Sequence, residues 1–372
     1  MKKNILILYT NYGTGHYMAA KAIEEYIRTN YKTYNVEILD PLSFSRPLIN
    51  KMFAKIGKII ATKFRKFRGK LYKKKMYQNY LKNSPFFMFC TKLFWTKKLE
   101  QKLLNYKPYL IISTQVGPTG LIAAHKSMFN TKLISVFTDY GLHRMYTVAH
   151  EFIDIFCVPD ESIRQQMVDI GIDANKIKVT GIPVQSKFLV NSKCSKNDFI
   201  VEYKLSKNVP IFLFICGGGL GYDNAFKYFE KLLQADYNFS YVFISGKNES
   251  LFNKAKDVAN KYNKNGIVLG YVNNMDEFIK NSDLVFGKPG GIVTSETLNL
   301  GVPLCAIEPI PGQESNNASF ILTNNFGFYI TNIKDFEIFL ENLKNSSINL
   351  NQYRKQIKKR FVSFSFLEID KL

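Results

Sequence analysis

The strongest restriction on the fold is a repeated alternation of short apolar runs with segments of helical period. Ile5–Tyr9, Val36–Leu39, Leu110–Ser113, Leu133–Phe137, Ile155–Val158 and Ile177–Thr180 form a first set of runs. Ile211–Cys216, Tyr241–Ser245, Gly266–Leu269, Leu284–Gly287, Pro303–Ile307 and Phe328–Ile330 form a second. Each is short and rich in β-branched or aromatic residues, as expected of strands buried on both faces in a parallel sheet. Helical stretches such as His16–Thr29, Asp223–Leu233 and Ser250–Tyr262 lie between them. Strand–helix alternation twice over predicts two α/β units with parallel sheets, and 372 residues suffice for two cores. A polar stretch without clear period, Gln185–Asn208, marks the boundary after Gly181-Ile182-Pro183. The expected division is 1–184, 185–350 and a helical tail at 351–372, with the two domains facing across a cleft.

Charge sharpens this plan. The chain carries 51 Lys and Arg against 30 Asp and Glu, a formal +21, which points to a polyanionic partner. The excess is local. Residues 46–107 hold eighteen bases and one acid, Glu100, for +17, so the other 310 residues carry only +4. Within this insert Ile49, Phe53, Ile56, Ile60, Phe64, Phe67 and Leu71 recur at helical spacing. Lys51, Lys55, Lys58 and Lys63 fall off that stripe, and Phe86, Phe87, Phe89, Phe94 and the single tryptophan, Trp95, follow. A basic amphipathic helix with aromatics is a pattern for lying on an anionic membrane. A helix packed on its own core with a solvated Lys face has the same pattern. Nucleic-acid binding by stacking is a third reading. The aromatics lie mainly on the apolar stripe, which ranks lipid or burial above nucleic acid as their environment.

Other classes are excluded. A hydrophobic content of 46% is too high for a disordered chain. No apolar run approaches the ~18 residues of a membrane-spanning helix. Lys2-Lys3 before Ile5–Tyr9 mimics a signal peptide, but the apolar run is too short and leads into a glycine loop. Five scattered cysteines without a CxxC pair read as reduced thiols of a cytosolic chain. There is no Asp-x-Asp and no His/Asp/Glu cluster of ligand spacing, so no metal site is expected.

Three glycine-rich turns follow strands: Asn11–His16, Gly217–Gly221 and Lys288–Gly291. Glycine lets backbone N–H groups approach an oxyanion, and the helix that follows adds partial positive charge. The two turns in the second half suggest a diphosphate, and neither matches the P-loop pattern. Glu296 lies five residues after Gly291, placed to accept from ribose hydroxyls or simply to compensate the helix dipole. Of four histidines, His16 stands at a strand-end glycine loop, an open place for a general base. His143 follows Thr138-Asp139-Tyr140 at another strand end.

At these residues the chain resembles the diacylglycerol glycosyltransferases, that is, bacterial processive diacylglycerol glucosyltransferases and plant monogalactosyldiacylglycerol synthases. More distantly it is similar to the lipid II-forming N-acetylglucosaminyltransferase. The resemblance runs through ILILYTNYGTGHYMAA (Ile5–Ala20), SVFTDYGLH (Ser135–His143), VTGIPVQSKF (Val179–Phe188), LGYVNNM (Leu269–Met275), KPGGIVTSE (Lys288–Glu296) and PIPGQESNNA (Pro309–Ala318). The last two together are specific. Gln185 stands where relatives commonly carry Arg, and Tyr146 where a Trp is usual.

The resemblance implies a GT-B fold of two Rossmann-like domains, with the acceptor in the first and the nucleotide sugar in the second. It implies inverting transfer of a hexose, glucose favoured over galactose, from a UDP-sugar to membrane diacylglycerol, with more than one sugar added in some relatives. UDP-sugar, diacylglycerol and an anionic membrane are then the partners, nucleic acid is not, and the place is the cytoplasmic face of the cell membrane. UDP-sugar is a co-substrate; no cofactor or metal is expected. Carried over by position, Glu296 holds the ribose, and Gly290, Gly291 and Thr294, with Gly218 and Gly219, line the diphosphate. Val272 and Met275 flank the uracil. Gln313 and Glu314 bind the sugar hydroxyls, Asn317 supports their loop, and Lys288 offsets the charge of the leaving UDP. His16 is the first candidate base and Asp139 the second or its partner. Gly15 and His143 belong with the acceptor. Lys51, Lys55, Lys58, Lys63, Phe64, Phe67 and Trp95 belong with the membrane. The rival enzyme reading is N-acetylhexosamine transfer to a polyprenyl-linked acceptor. The rival of another class is a non-catalytic membrane- or nucleic-acid-binding module.

Overall fold

A computed structural model describes residues 2–11, 14–45, 94–147, 149–190, 194–216 and 224–371. The chain divides into two compact units, 1–186 with 311–313 and 362–372, and 187–310 with 314–361. Each unit is built on a six-stranded sheet whose strands all run parallel. Every apolar run singled out in the sequence is a strand.

The first sheet has the order β2-β1-β3-β4-β5-β6. Its strands are β1 (Lys3–Leu8), β2 (Tyr34–Leu39), β3 (Pro108–Ser113), β4 (Lys132–Val136), β5 (Ile155–Val158) and β6 (Ile177–Val179). Ile5 to Leu8, Leu110, Ile112, Leu133 and Ile134 are essentially inaccessible, because helices cover both faces of the sheet. The chain turns to β2 on one side of β1 and to β3 on the other. The carboxyl ends of β1 and β3 therefore bound the crevice where sheets of this kind bind ligands.

The second sheet has the order β12-β11-β10-β7-β8-β9. It consists of β7 (Ile211–Ile215), β8 (Ser240–Ile244), β9 (Gly266–Leu269), β10 (Leu284–Gly287), β11 (Leu304–Ile307) and β12 (Gly327–Ile330). Its core is aromatic: Phe214 stacks on Phe286 with ring centroids 4.6 Å apart, and Phe229, Phe243, Phe336 and Phe339 join them. The order reverses between β7 and β10, the strands that lead into the second and third glycine turns.

The tail splits. The helix Leu350–Arg360 belongs to the second unit, whereas residues 362–372 belong to the first. Ser365 N–H donates to the carbonyl of Thr180 at 2.9 Å, and the rings of Phe364 and Phe366 stand edge-on to Tyr26. Gly181 sits at φ +70°, and a Cβ there would meet the Phe364 Cα at 3.0 Å, so both conformation and space call for glycine.

Lys51, Lys55, Lys58, Lys63, Phe64 and Phe67 lie outside the described residues. The end of the basic insert lies within them. Thr96 caps the helix Lys97–Tyr106 by accepting from Leu99 N–H at 3.2 Å, and Leu99 and Leu103 face the core. Trp95, grouped by sequence with the membrane residues, is stacked on His125 at 3.8 Å and donates its indole N–H to Glu100 at 3.1 Å. Packing within the first unit thus occupies that ring. Among the described residues no helix is long and apolar enough to cross a membrane.

Candidate active site

In the first unit β1 runs through Leu8 into the first glycine turn, and the helix Thr14–Asn30 follows with Gly15 and His16 in its first turn. His16 Nδ1 lies 2.9 Å from the backbone carbonyl oxygen of Thr114, just past β3, and 3.1 Å from Oγ1 of Thr138, just past β4. A carbonyl oxygen can only accept, so Nδ1 carries the ring proton and Nε2 keeps its lone pair. The Thr114 hydroxyl donates back to the His16 carbonyl at 3.0 Å. Burial lowers the His16 pKa below its ordinary 6.5, against the opposing pull of the Thr114 bond, so the ring is neutral at pH 7. Three adjacent strand ends thus hold one imidazole in one tautomer.

Asp139 follows Thr138 directly and is half-buried. Its charge adds to the burial that raises the pKa of Tyr146, a fully enclosed ring stacked on Phe137 at 3.8 Å. His143 Nδ1 accepts from Met145 N–H at 3.1 Å, so that nitrogen caps the short helix Arg144–Thr147. Thr10 and Gln115 complete the crevice: Thr10 N–H donates to Gln115 Oε1 at 2.8 Å, and the Thr10 hydroxyl donates to the same oxygen. Sequence reasoning passed over Thr114 and Gln115, and named Thr138 only as part of the segment before His143. Their only signal was polar character immediately after an apolar strand.

In the second unit the helix Gly291–Asn299 starts directly after Lys288-Pro289-Gly290. Gly290 is its N-cap, with no side chain to satisfy the first N–H groups, and a Cβ there would meet open space. Thr294, one turn in, is wholly buried, and among the described residues its hydroxyl has no hydrogen-bond partner. Asn317, also wholly buried, donates from Nδ2 to the carbonyl of Pro289 at 2.9 Å and so braces this turn. Lys288 Nζ pairs with Glu314 Oε1 at 2.5 Å, while Glu314 Oε2 accepts from Ile310 N–H at 2.9 Å. The two sequence segments around 288 and 314 are therefore tied by two side-chain bridges. Gln313 is the first residue of the helix Gln313–Thr323.

Glu296 is the outlier of the second unit. Burial raises its pKa to about 8; the Lys187 ammonium opposes the rise and the Asp276 carboxylate adds to it. Lys187 in turn lies 3.5 Å from Asp276 Oδ1 and donates to the carbonyl of Asn273 at 2.8 Å. Glu296 is thus close enough to the segment holding Val272 and Met275, the latter opening the helix Met275–Asn281, to feel its charges. Gly218 and Gly219 lie outside the described residues. Among the described residues no group of three His, Cys, Asp or Glu side chains is arranged to hold a metal ion.

Residues 16–184 match the family model for monogalactosyldiacylglycerol synthase, and residues 212–364 match the C-terminal domain of glycosyltransferase family 28. A processive diacylglycerol beta-glucosyltransferase from Bacillus licheniformis is 28% identical, over 98% of this chain and 92% of its own length. One from Bacillus pumilus is 29% identical, over 96% of this chain and 90% of its own. Among solved structures, MurG from Acinetobacter baumannii superposes with a TM-score of 0.61 at 11% identity, covering 96% of this chain and 95% of that one. UDP-GlcNAc 2-epimerase from Neisseria meningitidis, solved with UDP-GlcNAc bound, gives 0.58 at 14% identity, covering 97% and 95%. The architecture is GT-B. Transferases and an epimerase share it, so the reaction class rests on the sequence matches and not on the fold. Both halves are thus matched by glycosyltransferase models, and along nearly its whole length the chain is similar to curated diacylglycerol glucosyltransferases.

Proposed function

We propose that the protein transfers a hexose, glucose in preference to galactose, from a UDP-sugar to the free hydroxyl of diacylglycerol in an anionic membrane. The observation that carries the chemistry is the neutral His16 ring, its Nδ1–H committed to Thr114 and its Nε2 lone pair left for a substrate proton. The substrate class is supported by relatives named for diacylglycerol glucosylation that align along nearly the whole chain.

In this reading His16 Nε2 takes the proton of the glycerol hydroxyl as its oxygen bonds to C1 of the sugar. The bond from C1 to the β-phosphate oxygen breaks, and its electron pair leaves with UDP. Attack opposite the leaving group inverts the anomeric centre. Asp139, which directly follows Thr138 at the neighbouring strand end, is the second candidate for the base. The first-turn N–H groups behind Gly290 and Gly291, with Thr294, meet the diphosphate as negative charge develops on it. Lys288 contributes charge only in exchange for its bond to Glu314. Glu296, protonated at neutral pH in the unliganded protein, holds the ribose, Val272 and Met275 flank the base, and Gln313 and Glu314 read the sugar. No metal ion is required, and activity survives chelation by EDTA.

The +17 segment supplies the attachment. Each Lys near an anionic surface contributes about 1 kcal/mol, so several together hold the enzyme at the cytoplasmic face of the membrane as a peripheral protein.

A donor and acceptor panel tests this reading. UDP-glucose, UDP-galactose and UDP-N-acetylglucosamine are each offered with diacylglycerol and with a polyprenyl-linked acceptor in anionic vesicles. Hexosyl-diacylglycerol formed fastest from UDP-glucose supports the reading. N-acetylhexosamine transferred to the polyprenyl lipid alone overturns it.

A further inference from the structure

We propose that Gln115 is an acceptor-binding residue whose side-chain NH2 donates to an ester carbonyl of the glycerolipid. The inference rests on the transferase reading above and adds to it the group that recognises the acyl linkage.

The orientation of the amide is settled by its neighbour. The backbone N–H of Thr10 can only donate, so the Gln115 atom 2.8 Å from it is the oxygen, Oε1. The Thr10 hydroxyl gives its hydrogen to the same oxygen. With Oε1 held on this side, Nε2 and both its hydrogens point elsewhere, and among the described residues Nε2 has no partner.

Location gives those two donors a purpose. Gln115 immediately follows Thr114, whose carbonyl holds His16, and lies at the β1/β3 switch point of the first sheet. It is the N-cap of the helix Val116–Ala123, yet its side chain makes no capping bond. The side chain is spent on Thr10 instead, an arrangement that does nothing for the helix and fixes where the amide hydrogens go. Gln115 is half-buried, so a ligand oxygen meets a donor that water reaches only in part.

An amide NH2 calls for an acceptor. Diacylglycerol presents two ester carbonyl oxygens within a few bonds of the hydroxyl that His16 deprotonates. Its dialkyl ether analogue has the same hydroxyl and chains of the same length but no carbonyl. The two lipids therefore isolate the contact.

The experiment measures kcat/KM for 1,2-diacylglycerol and 1,2-dialkylglycerol in the same anionic vesicles, with wild-type protein, Gln115→Glu and Gln115→Met. The glutamate keeps an acceptor for both Thr10 donors and removes the NH2. The methionine removes both functions without adding charge. Wild-type protein prefers the diacyl lipid by roughly five- to tenfold, the value of one such bond. Both variants lose the preference while the KM for UDP-sugar changes less than about twofold. A wild-type protein without preference, or variants that retain it, overturns the role of Gln115 alone. Absence of transfer to either lipid overturns the transferase reading, and this proposal with it.

Discussion

His16 Nδ1 lies 2.9 Å from the carbonyl oxygen of Thr114, across 98 residues of chain. Adjacency of β1 and β3 in the sheet produces the meeting, and the one-way character of a carbonyl turns it into a statement about the proton. The imidazole that results is neutral and oriented, and Nε2 is the atom proposed to act as the base.

His16→Gln is therefore expected to lower kcat by about 10²–10⁴, with little change in the KM for UDP-sugar. Burial lowers the His16 pKa below 6.5, so activity falls only as the pH drops below that value. The kcat/KM–pH profile of the wild type checks this, and an acidic limb centred above pH 7 would be inconsistent with His16 in this setting.

Glu296 has a pKa raised to about 8 from an ordinary 4.5. The folded chain holds this proton more tightly than the unfolded chain. Its contribution to stability is therefore complete below about pH 4.5 and lost as the pH rises through 8. Glu296→Gln, which cannot ionise, gains Tm relative to wild type as pH is raised from 5 to 9, at roughly 2–4 °C per kcal/mol. Scanning calorimetry at both pH values measures it. Glu296→Ala weakens UDP binding by about tenfold.

Thr294 offers a cleaner separation of binding from folding. Its buried hydroxyl has no partner among the described residues, so Thr294→Val leaves the Tm unchanged or raises it slightly. If the diphosphate supplies the missing partner, the same variant loses about five- to tenfold in UDP affinity by titration calorimetry. Lower stability with unchanged affinity would assign Thr294 to packing instead.

Two glycines are predicted to behave oppositely. Gly181→Ala places a Cβ 3.0 Å from the Phe364 Cα at φ +70° and costs about 1–3 kcal/mol, read from urea unfolding. Gly290→Ala, at φ −68° and facing open space, folds with wild-type stability and weakens UDP binding by occupying the approach to the helix N-terminus.

The sheets were legible because the runs of the inner strands, such as Ile5–Tyr9 and Ile211–Cys216, are buried on both faces and so are apolar nearly throughout. The glycine turns could be placed at strand ends for the same reason. What escaped were contacts set by strand order. Nothing local to Trp95 announces His125 beneath it, and nothing local to His16 announces Thr114 and Thr138. Gln115 is a poor N-cap and matches no motif; its partner, Thr10, is 105 residues away. The end of the tail escaped as well: 351–372 was expected to be helical, but the helix ends at Arg360, and beyond it Ser365 N–H pairs with the carbonyl of Thr180.

The central claim is transfer of a hexose from UDP to diacylglycerol, and one measurement tests it most directly. Purified protein is incubated with UDP-glucose and anionic vesicles containing diacylglycerol, and the lipid extract is analysed by mass spectrometry. The prediction is glucosyl-diacylglycerol accumulating in step with released UDP, and almost absent with His16→Gln. UDP-glucose left intact, or UDP released with no glycosylated diacylglycerol in the extract, would contradict the account.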